Sequence, residues 1–92
     1  MLFLQKMPLN TGITMPINNQ LLDELELLNF FDLNSTHGGI KIHKDAEQSR
    51  IDAAQRLHQK GVISLSDGGY LTERGVETAQ HLKALINLLN LD

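Results

Sequence analysis

The chain has 92 residues, a length typical of one small domain. It contains no cysteine, which excludes disulfides, thiolate metal sites and a cysteine nucleophile. Its formal net charge of −3 is not typical of a nucleic-acid-binding protein. The charge is unevenly placed, however: residues 20–36 carry four acidic and no basic residues, whereas residues 37–60 carry five basic and three acidic residues, a balance of +2.

The N-terminal stretch differs from the rest of the chain. Residues 1–16 combine polar residues, glycine and two prolines without periodicity, which predicts a flexible tail before a domain over residues 17–92. Two interpretations stay open: translation starts at Met15, or the segment is an arm that packs on a partner. No run of about 18 apolar residues occurs and no secretory signal is recognisable, so we expect no membrane span and a cytoplasmic location.

The first predicted element is a helix that begins at Asn18 or Asn19, because either side chain can cap free backbone N–H groups. Apolar residues follow at helical spacing, namely Leu21, Leu22, Leu25, Leu27, Leu28, Phe30 and Phe31. The helix carries three acidic residues near its start, namely Asp23, Glu24 and Glu26. The positive end of the helix dipole favours acidic residues there. The pair Gly38-Gly39 excludes a continued helix.

A short strand and a second helix follow. Residues 39–43 alternate apolar and polar side chains, which is the periodicity of a strand. Asp45 with Gln48 three residues later forms a weak capping box. We therefore predict a helix over residues 46–60, ended by Gly61. Its inner face would consist of Ala46, Ala53, Ala54 and Leu57.

A β-hairpin leads into the last helix. Residues 62–65 are rich in β-branched side chains, residues 66–69 form a turn, and residues 70–71 return as a strand. Thr72 is a good N-cap for a helix that starts at Glu73. Together these elements predict an α+β, mainly α fold with three main helices and a small antiparallel sheet made of the short strand and the hairpin.

Two runs around the hairpin carry a resemblance to a known superfamily. Residues 57–63, Leu-His-Gln-Lys-Gly-Val-Ile, enter the hairpin, and residues 68–75, Gly-Gly-Tyr-Leu-Thr-Glu-Arg-Gly, leave it. This arrangement resembles the recognition-helix-to-wing segment of winged helix-turn-helix proteins of the MarR and PadR types. The resemblance implies a winged-helix-like domain, DNA binding in bacterial transcription control and dimerisation through the helix after the wing. With its run GIKIH at residues 39–43, the chain is also similar to a small, functionally uncharacterised family of gammaproteobacterial proteins.

The second predicted helix is the candidate DNA-binding element. Its outward face carries side chains that can pair with base edges in the major groove, namely Gln48, Gln55, Arg56 and Gln59. The cations predicted to contact the phosphates of double-stranded DNA are Lys41, Lys44 and Lys60. Asp52 on the same face would repel phosphates, and Asp67 at the hairpin tip favours a structural brace over a DNA-reading wing. The alternative is a protein–protein interaction module that keeps the winged scaffold without binding DNA.

The last helix carries more apolar surface than one core needs, because its apolar side chains cover more than the about 100° arc of a core-facing stripe. We expect this surface to form a homodimer. The predicted interface residues are Leu82, Leu85, Ile86, Leu88 and Leu89. In the alternative, the first helix covers the whole stripe within one chain, through Leu22, Leu25, Phe30 and Phe31.

No group of residues in the sequence supports catalysis. The serines lack a nucleophile-elbow sequence, and the glycine pairs form neither a P-loop nor a dinucleotide-binding fingerprint. No two of the four histidines have the i, i+4 spacing of a zinc-binding helix. We therefore expect a protein without enzymatic activity, cofactor or bound metal.

Overall fold

Helices and short strands alternate along the residues that the computed structural model describes, 17–34 and 38–91. The elements are α1 Asn19–Leu28, β1 Ile40–Lys41, α2 Gln48–Gln59, β2 Ile63–Leu65, β3 Gly68–Leu71 and α3 Glu73–Leu89. The strands form one antiparallel sheet in the order β1-β3-β2. The predicted α+β, mainly α fold is thus confirmed. The predicted tail, residues 1–16, lies outside the described residues.

Helix α1 begins where the sequence predicted and ends earlier. Asn18 is its N-cap, and the Asn18 Oδ1 accepts a hydrogen bond from the Leu21 amide at 2.9 Å. The helix ends at Leu28 instead of continuing through Phe31. The amides of Phe30 and Phe31 bond to carbonyls three residues back, at 3.1 and 3.2 Å. This tighter turn buries Phe31 in the core and leaves Phe30 exposed.

Helix α2 starts later than predicted. Residues 43–46 form a separate turn, in which the Ala46 amide bonds to the His43 carbonyl at 3.0 Å. The N-cap of α2 is Glu47, which makes no side-chain capping hydrogen bond. The prediction that Asp45 caps this helix is therefore wrong, because the turn places Asp45 two residues before the cap. The predicted end is confirmed: Gly61 follows the helix with a φ of 77°.

The hairpin turn is tighter than predicted, because its two glycines belong to strand β3. Only Ser66 and Asp67 form the turn, and Gly68 pairs with Lys41 of β1. Gly68 has a φ of 125°. A Cβ atom at this position would lie 2.3 Å from the Ile40 carbonyl oxygen. Glycine is therefore required here by the close approach of β1 as well as by the turn.

The start of α3 is held tightly against the hairpin. The Thr72 Oγ1 accepts a hydrogen bond from the Gly75 amide at 3.0 Å and donates one to the Gly61 carbonyl at 2.5 Å. A Cβ atom on Gly75 would lie 2.0 Å from the Val62 carbonyl oxygen, so only glycine allows this packing. The core between the three helices and the sheet is formed by Leu27, Leu28, Phe31, Ala53, Ala54, Leu57, Val62, Ile63, Ala79 and Leu82.

Candidate functional site

A buried carboxylate joins α1 to α2 and pairs with two of the predicted DNA-binding cations. Glu24 of α1 is only 5% exposed. Its Oε2 accepts a hydrogen bond from the Arg56 Nε at 2.7 Å, and its Oε1 forms an ion pair with the Lys60 Nζ. Arg56 also donates from Nη2 to the Gln20 carbonyl at 3.1 Å. Arg56 and Lys60 are therefore bound to α1 of the same chain.

The surroundings of Glu24 keep its carboxylate ionised. Burial raises the pKa of Glu24, but the hydrogen bonds and the positive charges of Lys60 and Arg56 together outweigh burial and hold the pKa below its ordinary value of 4.5. A buried carboxylate needs such partners, because an unpaired charge in the interior is strongly unfavourable. The cluster formed by Glu24, Arg56 and Lys60, called the ionic cluster below, thus fixes the two helices to each other.

From the sequence alone, Glu24 was predicted to interact with the helix dipole, and its role in joining α1 to α2 was not predicted. Because α1 begins at Asn19, Glu24 lies beyond its first turn, where the dipole has little effect. A signal was nevertheless present in the sequence: Glu24 is spaced three and four residues before Leu27 and Leu28, which are both buried. That spacing places its side chain in the middle of the apolar face of the helix.

A second ion pair braces the hairpin tip. The Lys41 Nζ lies 2.5 Å from the Asp67 Oδ2, and the Ile42 amide donates to the Asp67 carbonyl at 2.7 Å. The hydrogen bond from Lys41 lowers the pKa of Asp67 from its ordinary value. The acidic residue at the hairpin tip is thus bound to Lys41, which was predicted from the sequence to contact phosphate.

The other predicted DNA-binding residues divide into two groups. The Gln48 Nε2 donates to the Asp52 Oδ1 at 2.8 Å, one helical turn away. The side chains of Lys44, Gln55 and Gln59 are exposed and make no hydrogen bond or ion pair within the described residues. Four of the seven predicted contacts therefore already have partners in the same chain.

An open cleft lies between the hairpin tip, the segment after β1 and helix α2. Its volume is about 840 Å³. The residues that line it are Lys41, Ile42, His43, Lys44, Asp45, Ile51, Gln55, Ser66 and Asp67. Three of the predicted DNA-binding residues, Lys41, Lys44 and Gln55, meet here, whereas Gln48, Arg56, Gln59 and Lys60 do not line the cleft.

The predicted dimer interface on α3 divides along the helix. Leu82 is only 7% exposed and packs in the core of its own chain, so its assignment to an intermolecular surface is wrong. Ile86 is partly buried against that core. Leu88 and Leu89 are 61% and 72% exposed, and Leu85 is also exposed.

Helix α1 does not cover the exposed end of α3 within the described chain. The Lys83 Nζ donates to the carbonyl and to the side chain of Asn29, at 3.0 and 3.1 Å. Asn29 is the C-cap of α1, so this contact joins the end of α1 to α3. Leu22 and Phe30 of the proposed covering surface are themselves exposed, and the Phe30 ring packs under the Arg50 guanidinium, 4.9 Å from the ring centroid.

The described residues contain no group of three or more His, Cys, Asp or Glu side chains arranged to hold a metal ion. None of the helices in this part of the chain combines the length and apolar character needed to cross a bilayer.

Comparison with known proteins gives one family. Neither the curated proteins nor the solved structures contain a match to the chain. The sequence profile of the family of unknown function DUF5669 matches residues 15–90, which include every helix and strand described above. The chain belongs to the DUF5669 family of unknown function.

Proposed function

We propose that the protein is a non-enzymatic protein–protein interaction module on a winged-helix-like scaffold, and that it forms a homodimer through the C-terminal end of α3. Its proposed compartment is the cytoplasm. The observation that carries this proposal is which of the predicted contact residues have partners in the same chain and which are exposed. Arg56, Lys60 and Lys41 have acidic partners in the same chain, whereas Leu88 and Leu89 are exposed to solvent.

The order of the elements supports the winged scaffold. A helix, a short strand and a second helix precede the hairpin, and the last helix follows it directly through the Thr72 cap. Strand β1 completes the sheet beside β3. The ion pair of Lys41 with Asp67 gives this short wing the role of a brace.

A second copy of the chain fits the exposed end of α3 better than a charged partner does. Residues 84–91 carry no charged side chain. In a two-fold symmetric contact each surface meets its own copy. A surface with one sign of charge would therefore bring like charges together, whereas the uncharged end of α3 brings none together. Leu85, Leu88 and Leu89 are spaced so that they lie on one side of the helix and can pack against the same residues of the partner helix.

Analytical ultracentrifugation of the full chain tests the homodimer. We expect a wild-type dimer at micromolar concentration and a monomer for Leu88→Glu, because a carboxylate in an apolar contact would lose its hydration. Gln80→Glu is the matched control: it adds the same charge to an exposed position of α3 outside the apolar end, and should remain dimeric. Circular dichroism checks that both variants are folded.

Two results would refute the α3 interface. One is a monomeric wild type across the accessible concentration range. The other is a folded Leu88→Glu variant that dimerises as strongly as Gln80→Glu does. In either case the exposed leucines would not mediate self-association.

DNA binding in bacterial transcription control is the second candidate function. The observation that favours it is the group formed by Lys44, Gln55 and Gln59, which are exposed and have no partner within the described residues. Such side chains are able to contact phosphates and base edges. Helix α2 would then enter the major groove.

Fluorescence anisotropy with a mixed-sequence DNA duplex at about 50 and 200 mM salt tests this second candidate. A phosphate-binding protein should lose affinity with a logarithmic slope of about −0.9 per phosphate contacted. Lys44→Gln should then weaken binding and make the slope shallower. Absence of binding at micromolar protein and the lower salt concentration would exclude DNA as the ligand.

A further inference from the structure

We propose that the cleft between the hairpin tip and α2 is a binding site for a short zwitterionic peptide with apolar side chains. Its lining comes from β1, the segment after it, α2 and the hairpin tip, and within the described residues it includes nothing from α3. This site is therefore independent of the proposed dimer. Its volume of about 840 Å³ lies within the range of pockets that hold small organic ligands.

Two neighbouring residues of opposite charge provide the first argument. Lys44 and Asp45 both line the cleft, and neither forms an ion pair with the other or with any described residue. The Arg and Asp side chains within α2 behave differently, because each has a partner: Arg50 packs on Phe30, Asp52 accepts from Gln48, and Arg56 pairs with Glu24. Unpaired side chains of both signs thus meet at this cleft.

The surrounding backbone fixes the points from which these two side chains extend. The Ala46 amide closes the turn that carries Lys44 and Asp45. Just before this turn, the Ile42 amide is bonded to the hairpin tip, and the Lys41 ion pair with Asp67 braces the same connection. A ligand would therefore meet an ordered backbone at this turn, so only the two side chains would have to be ordered on binding.

The remaining lining residues suit a peptide. Ile42 and Ile51 are partly buried and supply an apolar surface for an aliphatic side chain. Gln55 is exposed, and its amide can donate to and accept from a peptide bond. A molecule that carries an ammonium group, a carboxylate and apolar side chains can use all of these groups: its carboxylate would bind Lys44, and its ammonium group would bind Asp45.

Isothermal titration calorimetry with the dipeptide Leu-Leu tests the site on the full chain. Its N-acetylated form lacks the ammonium group, and its C-amidated form lacks the carboxylate. We expect Leu-Leu to bind with a Kd at or below about 1 mM and each capped form to bind about tenfold more weakly, as the loss of one charge-assisted hydrogen bond predicts. In Lys44→Gln, amidation should no longer matter, and in Asp45→Asn, acetylation should no longer matter.

Helix α2 supplies a matched control pair. Gln55 and Gln59 are exposed glutamines one turn apart without partners in the described chain, but only Gln55 lines the cleft. Gln55→Ala should weaken Leu-Leu binding several-fold, and Gln59→Ala should not. The proposal is overturned if Leu-Leu does not bind at about 10 mM. Equal affinity for the free and capped dipeptides, or equal effects of the two alanine variants, would overturn it as well.

Discussion

At the α1–α2 junction a charged carboxylate is buried and paired with two cations, whereas at the C-terminal end of α3 apolar side chains remain in solvent. Glu24, Arg56 and Lys60 form the ionic cluster between the two helices. Leu88 and Leu89 have no comparable cover within the described residues. Charge and hydropathy at a position therefore do not tell whether a side chain is available to a partner.

Position along α3 separates its buried apolar side chains from its exposed ones. The Lys83 side chain contacts Asn29 at the end of α1. Leu82 lies before Lys83 and is buried, and Leu88 lies after it and is exposed. The apolar stripe of α3 is thus buried in the core in its N-terminal part and exposed as a candidate interface at its C-terminal end.

The largest expected effect concerns the two ends of that stripe. Leu82→Ala should lower the free energy of unfolding by about 2–4 kcal/mol, because it opens a cavity in the core. Leu88→Ala should change the stability of the monomer by less than about 0.5 kcal/mol. Urea denaturation at low protein concentration measures both. A similar loss for the two variants would contradict the division of α3 into a buried and an exposed part.

The ionic cluster should show the next largest effect. Glu24→Gln keeps the shape of the side chain but leaves Arg56 and Lys60 without a counter-charge. We expect a loss of about 1.5–3 kcal/mol in the free energy of unfolding; the partial exposure of both cations keeps it below the cost in a fully buried pair.

Glu26→Gln is the matched control for this substitution. It makes the same chemical change on the same helix, at an exposed residue without a partner in the described chain, and should stay within about 0.5 kcal/mol of the wild type. If Glu24→Gln were as stable as Glu26→Gln, the ionic cluster would not hold α1 against α2.

The pH dependence of stability gives an independent measure of the same cluster. Because the pKa of Glu24 is lowered in the folded protein, its contribution is fully present above the ordinary value of 4.5 and is lost as the pH falls through the lowered pKa. The difference in unfolding free energy between wild type and Glu24→Gln should thus be constant from neutral pH to about pH 5 and shrink below pH 4.5. Thermal unfolding in buffers across this range measures it. A difference that grows on acidification would have the wrong sign.

Local signals in the sequence predicted most of the fold. Asn18 and Thr72 cap their helices as expected, and Gly61 ends α2, because each of these roles depends on a few neighbouring residues. The cap predicted at Asp45 failed because a competing turn with His43 uses the same residues. Boundaries of this kind depend on which of two local structures packs better, and local spacing does not determine that.

The candidate site was less predictable, because its residues are defined by contacts between distant parts of the chain. Arg56 and Glu24 are 32 residues apart, and Lys41 and Asp67 are 26 apart. A helical wheel places Arg56 near the polar face of α2 but contains no information about the acidic side chain of α1 beside it. The sequence therefore overestimated how many of the cations on this helix are free.

The smallest expected effect concerns the ion pair at the hairpin tip. Both side chains of the pair between Lys41 and Asp67 are largely exposed, so water and salt screen their attraction. Asp67→Asn should destabilise the protein less than Glu24→Gln does, and the effect should disappear at about 1 M salt, where the screening length is about 3 Å. The destabilisation by Glu24→Gln should persist at that salt concentration, because its carboxylate is buried. If both variants responded equally to salt, the ionic cluster around the buried Glu24 carboxylate would be no less screened than an ordinary surface pair.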